Sequence, residues 1–230
     1  MTQLAKHNLT FLEDLKKNNN RDWFQANKPV YEKNHKELIA FADEVLAKLN
    51  EHDVIETESG KKSLFRIYRD VRFSKDKSPY KTHWSGGFKR AGKLLRGGYY
   101  FHVQPGGNSL VGGGFWGPNK EDLQRIREEI ATDASELREI LADKTFVDTF
   151  GTLDGEQLKR APKGFNPDHK DIDLLRYKQF IFSRSFTDKE VLAPDFTDKL
   201  DHAFQAMRPF FDFMSDVLTT DSNGVPLYDE

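Results

Sequence analysis

"GGYYFHVQPGGNSLVGGGFWGP", residues 97–118, predicts the sheet around which this chain folds. Its centre, residues 105–108, reads Pro-Gly-Gly-Asn, and glycine and asparagine readily adopt the positive φ angles of a tight turn. Aromatic and β-branched residues flank this turn on both sides, so the segment predicts an antiparallel hairpin. Glycines 112–114 then fall opposite residues 99–101. Glycines inside a strand mark a bulge, or the close approach of a backbone, a ligand or overlying aromatic side chains.

Helices are predicted before the hairpin. Thr10 and Glu13 have the spacing of a capping box, which predicts a short helix ending near residues 18–20. Pro29 suits a first helical position, and the apolar stripe after it predicts a helix over residues 29–50. The stripe repeats every three or four residues and consists of Leu38, Phe41, Ala42, Val45, Leu46 and Leu49.

A strand and a long helix are predicted after the hairpin. Residues 177–186 alternate between apolar and polar types, which is typical of a strand. Thr187 and Glu190 form a second capping box, so a helix follows that strand directly. The last helix carries one long apolar stripe and contains Pro209, which we expect to kink it.

Composition bounds the size of the fold and the compartment. The chain has 230 residues, of which 37% are hydrophobic, enough to bury a substantial core in one domain or in two closely joined lobes. From the predicted helices and strands, we predict a single α+β domain over residues 1–230, with a mostly antiparallel central sheet covered by N-terminal and C-terminal helices. The sequence contains no secretory signal and no apolar run of membrane-spanning length, so we expect a cytoplasmic protein. Zero cysteines exclude disulfides and thiolate metal sites.

Charge is distributed unevenly along the chain. Residues 61–96 contain twelve Lys or Arg against two acids, a net charge of +10. The net charge of the whole chain is −2, so the remainder carries −12. A local excess of this size favours phosphates, nucleic acid or an acidic partner. The alternative is that the basic segment pairs with acidic helices of the same chain, because ion-paired surfaces are common.

The basic segment also has the pattern of a strand. Ile67, Val71 and Phe73 share one parity, so a strand here turns them inward and ends before Pro79. Arg69 falls among these apolar residues, as Arg184 does in the strand over residues 177–186. A guanidinium in such a position needs a carboxylate or a bound anion to offset its desolvation. Both arginines are therefore predicted to be largely buried against polar partners.

No cofactor and no metal ion are predicted. Glycines 112, 114 and 117 match G-x-G-x-x-G, but the following window is helical where a dinucleotide fold needs a second parallel strand. His83 and His102 can approach each other on neighbouring strands, yet two histidines without a spaced carboxylate are a weak metal signal. Asp70 and His83 are the local candidates for a catalytic base, and no catalytic residue is assigned.

The first functional hypothesis is an anion-binding protein, or an enzyme acting on a phosphorylated or nucleic-acid ligand. The predicted cations are Arg66, Arg69, Arg72, Lys75, Lys77, Lys81 and Arg184. Three aromatic residues, Tyr68, Tyr80 and Trp84, are predicted to stack on a base, as aromatic residues do in single-strand binders. Acidic surface elsewhere disfavours long duplex DNA, so the expected partner is a phosphorylated small molecule or a short single strand.

The alternative hypothesis is a non-catalytic structural or interaction domain, whose basic segment pairs with acidic surfaces. The oligomeric state stays open.

Several longer blocks resemble a known family. They are "FLEDLKKNNNRDWFQANKPVYE", "RIYRDVRFSKDKSPYKTHW", "GGYYFHVQPGG", "GGGFWGP" and "LKRAPKGFNPDHKDIDLLRYKQF". Together they resemble the bacterial family catalogued as domain of unknown function 2461, over nearly the whole chain. The resemblance implies that these blocks belong together in one domain. It assigns no activity, substrate or catalytic residue.

Overall fold

A computed structural model describes residues 2–221 and 224–228. The chain forms two compact units, and each is described by itself. The first contains the described residues up to Phe88, together with Tyr100–Val111 and Ser185–His202. The second contains Lys89–Tyr99, Gly112–Arg184 and the described residues from Ala203 onward. The single domain expected from the sequence stays a prediction.

The predicted α+β class is confirmed. Four strands form one antiparallel sheet in the order β1-β2-β3-β4, flanked by N-terminal and C-terminal helices. The strands are β1 (Trp84–Lys89), β2 (Gly98–Val103), β3 (Ser109–Phe115) and β4 (Phe180–Phe186). The helices of the described chain are α1 (Lys6–Lys17), α2 (Arg21–Ala26), α3 (Lys28–Leu49), α4 (Gly60–Ser63), α5 (Lys120–Thr132), α6 (Ser135–Ala142), α7 (Lys144–Phe150), α8 (Ile172–Leu175), α9 (Asp188–Val191) and α10 (Phe196–Thr219). No helix in this part of the chain is both long and apolar enough to cross a membrane.

The predicted hairpin is β2 and β3. Its turn contains Gly106 and Gly107 at φ angles of 83° and 73°, in the left-handed region that favours glycine. The backbone N–H groups of both glycines donate to the carboxylate of Asp188, each at 2.9 Å. Asp188 lies in the first turn of α9, between Thr187 and Glu190, whose predicted capping box is also confirmed. The hairpin turn is thus fastened to the start of α9.

Helix α3 supplies the core of the first unit, as its apolar stripe predicts. Phe41 packs edge-on against Phe101 of β2, with ring centroids 5.9 Å apart, and stacks on Phe196 at 5.7 Å. The start of α1 differs from the prediction, because the helix begins at Lys6 rather than after Thr10. The side chain of Asn8 accepts from the backbone N–H of Ala5 at 2.7 Å and so replaces the expected capping box.

Phenylalanines of α10 fill the second unit. Phe182 of β4 packs edge-on against Phe210, with centroids 5.0 Å apart. A Cβ built on Gly113 of β3 would lie 2.8 Å from Cζ of Phe211, so this glycine leaves room for the ring. Of the alternatives that the glycine run leaves open, an overlying aromatic side chain applies to Gly113, whereas Gly112 and Gly114 lie close to the backbone of β4. Pro209 lies inside α10, which runs uninterrupted over 24 residues.

The strand expected from Arg66 to the residue before Pro79 is wrong. The chain between α4 and β1 makes only isolated bridges, one between Leu64 and Gly86 of β1 and one between Tyr68 and Tyr80. Without a neighbouring strand to cover it, Phe73 points outward and is 96% exposed. This segment forms a projecting loop instead of a sheet edge.

Candidate functional site

The candidate site is built on a loop of the first unit, residues 66–81, which we call the basic loop. Two backbone hydrogen bonds close its base, from Arg69 N–H to Pro79 O at 2.9 Å and from Lys81 N–H to Ile67 O at 2.7 Å. Tyr80 anchors this base, since its ring stacks on Phe24 with centroids 4.0 Å apart. The loop therefore projects from a packed foundation.

Ion pairs within the loop hold its shape. Arg69 pairs with Asp76 and also donates to Ser78 O at 3.1 Å. Arg72 pairs with Asp70 at 2.6 Å. Hydrogen bonds from Ser78, followed by Arg69, lower the pKa of Asp76 to about 2, so this carboxylate stays ionised across the physiological range. Both acids of the loop are thus occupied by arginines of the loop itself.

Most other cations in this part of the chain lack an acidic partner. Residues 61–88 contain eight Lys or Arg and two acids, a net charge of +6. Six of those cations make no ion pair with any residue that the structure describes: Lys61, Lys62, Arg66, Lys75, Lys77 and Lys81. Lys77 instead donates to the backbone oxygen of Val71 at 2.9 Å. Acids of the loop therefore neutralise two arginines of this surface, and its lysines remain available to a ligand.

Phe73 forms the exposed apolar tip of the basic loop. It is 96% exposed, and the guanidinium of Arg72 lies 5.9 Å from the centre of its ring. Tyr68 and Phe65, on either side of the loop base, are each 51% exposed. Exposed aromatic rings among unpaired cations offer both stacking surface and positive charge.

Two of the three aromatic residues predicted to stack on a base require correction, whereas the third, Tyr68, is 51% exposed. Tyr80 and Trp84 are only 3% and 4% exposed. Trp84 stacks on Phe11 at 5.7 Å, and its indole N–H donates to Asn8 O at 3.2 Å. Because the faces of both rings are covered by protein, neither can accept a base.

The predicted cations lie in different parts of the structure. Arg66, Arg72, Lys75 and Lys77 are exposed on the basic loop, whereas Arg69 and Lys81 are half-buried at its base. Arg184 lies on β4 in the second unit, is half-buried and has interactions of its own. It is not part of the basic loop. The expectation that Arg69 is largely buried is too strong, since its side chain is 26% exposed, but its predicted carboxylate partner is present.

A cavity of about 320 Å³ lies at the foot of the basic loop. It is lined by Lys16, Asn19, Arg69, Asp76, Ser78, Tyr80, Lys81, Thr82 and His83. Asn19 is occupied structurally, because its side-chain amide donates to Tyr80 O at 2.9 Å and accepts from Tyr80 N–H at 3.1 Å. A neighbouring groove of about 530 Å³ shares Lys16 and Thr82 with the cavity. Three cations and one carboxylate thus face a space suited to an anion.

His83 is the unusual titratable group of this cavity. Its ring stacks on that of His102, with centroids 4.8 Å apart, as the approach of the two histidines on neighbouring strands suggests. Burial, then His102 and Lys81, lowers the pKa of His83 to about 4. Burial and the nearby Arg66 also lower the pKa of Lys81. The cavity therefore holds a neutral imidazole beside an ammonium group at neutral pH.

The lowered pKa predicts how stability depends on pH. The unfolded chain binds a proton at His83 near the ordinary pKa of 6.5, whereas the folded protein binds it only near 4. The free energy of unfolding should therefore fall as pH drops from 6.5 toward 4, and His83→Gln should remove this part of the fall. We expect about 1–2 kcal/mol, because each pKa unit is worth about 1.4 kcal/mol and solvent at this half-buried ring reduces the effect.

Urea unfolding at neutral and acidic pH measures this difference. His202, an exposed histidine of α10, provides the matched control His202→Gln, which should behave like wild type. An equal stability difference between wild type and His83→Gln at both pH values would contradict the assignment.

Two residues of the site were not predicted from the sequence. Lys16 lies in α1, far along the chain from the basic segment, and no local pattern links the two. Phe73 was expected to face inward, although it lies in the run Arg-Phe-Ser-Lys-Asp-Lys, whose polarity is a signal for an exposed loop.

Comparison with known proteins yields one match. The family model described as "Conserved hypothetical protein (DUF2461)" matches residues 7–213 of the chain. No curated protein and no solved structure matches it. The matched range includes the basic loop and every residue that lines the cavity. The candidate site therefore lies within the region that defines the family.

Proposed function

Since the chain belongs to the family of conserved hypothetical proteins DUF2461, whose description assigns no activity, we propose a function from the chemistry of the site. The basic loop binds short single-stranded nucleic acid. Its unpaired cations contact backbone phosphates, and Phe73 stacks on a base. The observation that carries this proposal is an almost fully exposed aromatic ring on a loop whose lysines have no acidic partners among the described residues.

Ion pairs within the loop support its role in binding. Those of Arg69 and Arg72 with acids of the loop are present before a ligand arrives. Cross-links of this kind reduce the conformational entropy that a loop loses on binding. Phe73 gains nothing from packing in the free protein, because almost all of its surface faces water. A stacked base would bury that apolar surface.

Electrostatics favour a short strand over a long duplex. Three exposed loop cations, Arg66, Lys75 and Lys77, are available to phosphates, with Lys81 at the base. Single strands lose affinity with salt at about 0.7 logarithmic units per phosphate contact, so we expect a slope of about −2 to −3. The charge of −12 outside residues 61–96 would repel a long duplex that extends beyond the loop.

The cavity supports a second candidate, a phosphorylated small molecule. Its volume of about 320 Å³ is at the lower end of small-molecule sites, and Lys16 and Lys81 supply charge. An acidic protein partner is the remaining alternative for the same cations. Competition titrations distinguish these two alternatives from the proposal. If either alternative is correct, a nucleotide or a polyglutamate peptide should displace the oligonucleotide when the two are compared at equal charge.

The role of Phe73 gives a sharp prediction. Phe73→Ala should weaken binding of a single-stranded oligonucleotide by about 1–3 kcal/mol, the worth of one base–aromatic stack. The slope with salt should not change, because no charge is removed. Stability should stay within about 0.5 kcal/mol of wild type, since the side chain packs on little else.

Fluorescence anisotropy of a labelled oligonucleotide measures both affinity and slope. Trp116→Ala is the matched control, since Trp116 is an aromatic residue of the second unit that is 72% exposed. Equal losses for the two variants, or no loss for Phe73→Ala, would remove Phe73 from the proposed interface.

A further inference from the structure

The cavity at the foot of the basic loop places an acid–base pair beside the proposed phosphate path. Lys81 and His83 lie two residues apart in the segment that leads into β1. Both line the cavity. Arg69 belongs to both the cavity and the basic loop. Its side chain lines the cavity, and its backbone N–H closes the base of the loop.

His83 is free to exchange a proton. Among the described residues its imidazole has no hydrogen-bond partner, although it is half-buried. Its neighbour His102 is committed, since Nε2 donates to Asn108 O at 2.7 Å and Nδ1 faces the hydroxyl of Tyr100 at 3.3 Å. The imidazole of His83 is therefore open to a ligand in the cavity.

We propose that this cavity cleaves single-stranded RNA by internal transesterification, an inference that rests on the proposed nucleic-acid binding. His83 removes the proton from a ribose 2′-hydroxyl, and the 2′-oxygen then attacks the adjacent phosphorus. A bond forms between the 2′-oxygen and phosphorus while the bond from phosphorus to the 5′-oxygen breaks. Lys81 gives a proton to the departing 5′-oxygen. The products are a 2′,3′-cyclic phosphate and a 5′-hydroxyl, and no oxidant or reductant is needed.

The charged groups around His83 and Lys81 suit their proposed roles as base and acid. The charged or titratable groups that face His83 are Lys16, Arg69, Asp76, Tyr80, Lys81 and His102. Burial, and after it the neighbouring His102 and Lys81, lower the pKa of His83 and keep the imidazole neutral in the free protein, and a bound phosphodiester adds the negative charge that favours protonated His83. Lys16 and Lys81 are also placed to stabilise charge that develops on the phosphoryl oxygens.

The chemistry separates RNA from DNA. The attacking oxygen is the ribose 2′-hydroxyl, which DNA lacks. The basic loop reads phosphates and a base face, which both polymers share. A deoxyribonucleotide strand should therefore bind and stay intact.

Cleavage of an end-labelled oligoribonucleotide, in chelator and at low salt, tests the inference. The full-length protein should release fragments that end in a 2′,3′-cyclic phosphate, identified by mass spectrometry, and leave the deoxyribonucleotide strand uncut. His83→Gln should slow cleavage by about 10²–10⁴-fold, the usual contribution of a general base, without loss of binding to the deoxy strand. Added imidazole should partly restore cleavage to His83→Ala, which a merely structural role would not allow.

Two further results keep the test decisive. His202→Gln, in an exposed histidine away from the cavity lining, should cleave like wild type. Binding of both strands without cleavage of RNA would overturn this inference and leave the proposed function standing. Cleavage that survives in His83→Gln would also overturn it, whereas absence of binding to either strand would end both proposals.

Discussion

Replacing Trp84 by alanine is expected to lower the free energy of unfolding by about 3–5 kcal/mol, the usual effect of truncating a buried aromatic residue. Its ring is 4% exposed and stacks on Phe11 and Tyr31, with centroids 5.7 and 5.6 Å away. The variant also removes the donor to the backbone oxygen of Asn8, which is buried. Trp84 joins α1 and α3 to β1, so its loss should loosen the packing of the first unit.

Equilibrium unfolding in urea measures this effect. Trp116→Ala is the matched control and should change stability by no more than about 0.5 kcal/mol, because that indole is largely exposed. A nearly neutral Trp84→Ala that instead loses oligonucleotide binding would restore the base-stacking role first expected from the sequence.

The second large effect concerns charge. The triple variant Arg66→Ala, Lys75→Ala, Lys77→Ala removes three exposed cations of the basic loop that have no ion pair in the described chain. Oligonucleotide affinity should fall at least about tenfold at low salt, and the salt slope should become shallower by about 2 units. Stability should change little, because exposed charges of this kind contribute little to folding.

A variant with the same change of charge elsewhere is the control. Lys159, Arg160 and Lys163 are exposed on a loop of the second unit, and their replacement by alanine also removes three positive charges. If binding depends on net charge alone, the two triple variants will lose affinity equally. The proposal requires that the loss be specific to the basic loop.

Local patterns predicted the hairpin, α3 and α9 correctly. The hairpin follows from turn residues with positive φ, α3 from a stripe of period near 3.6, and α9 from its capping box. Each of these depends on interactions between near neighbours in the chain. The α+β class follows because these elements leave few other ways to cover the apolar residues.

Long-range packing accounts for the errors. Alternation over residues 66–73 resembles a strand, but no partner strand covers it, and Phe73 is consequently exposed. The fully buried arginine is Arg90 rather than Arg69, because Arg90 pairs with Asp212, which is 122 residues distant in the chain. No local periodicity contains that information.

The candidate site was predictable in part. Clustering of cations in the sequence identified the basic loop, since charge density is a property of composition. Which aromatic residues face water depends on packing against α1 and α2, and this reversed the roles of Tyr80 and Phe73. Lys16 joins the cavity only through the fold.

The salt dependence of binding by the wild-type protein decides whether the basic loop binds single-stranded nucleic acid. A labelled single strand of about 8–16 nucleotides is titrated by anisotropy between about 25 and 200 mM salt, where screening changes most. We expect saturable binding at low salt and a logarithmic slope of about −2 to −3. No binding at about 25 mM salt, where screening is weakest, would contradict it.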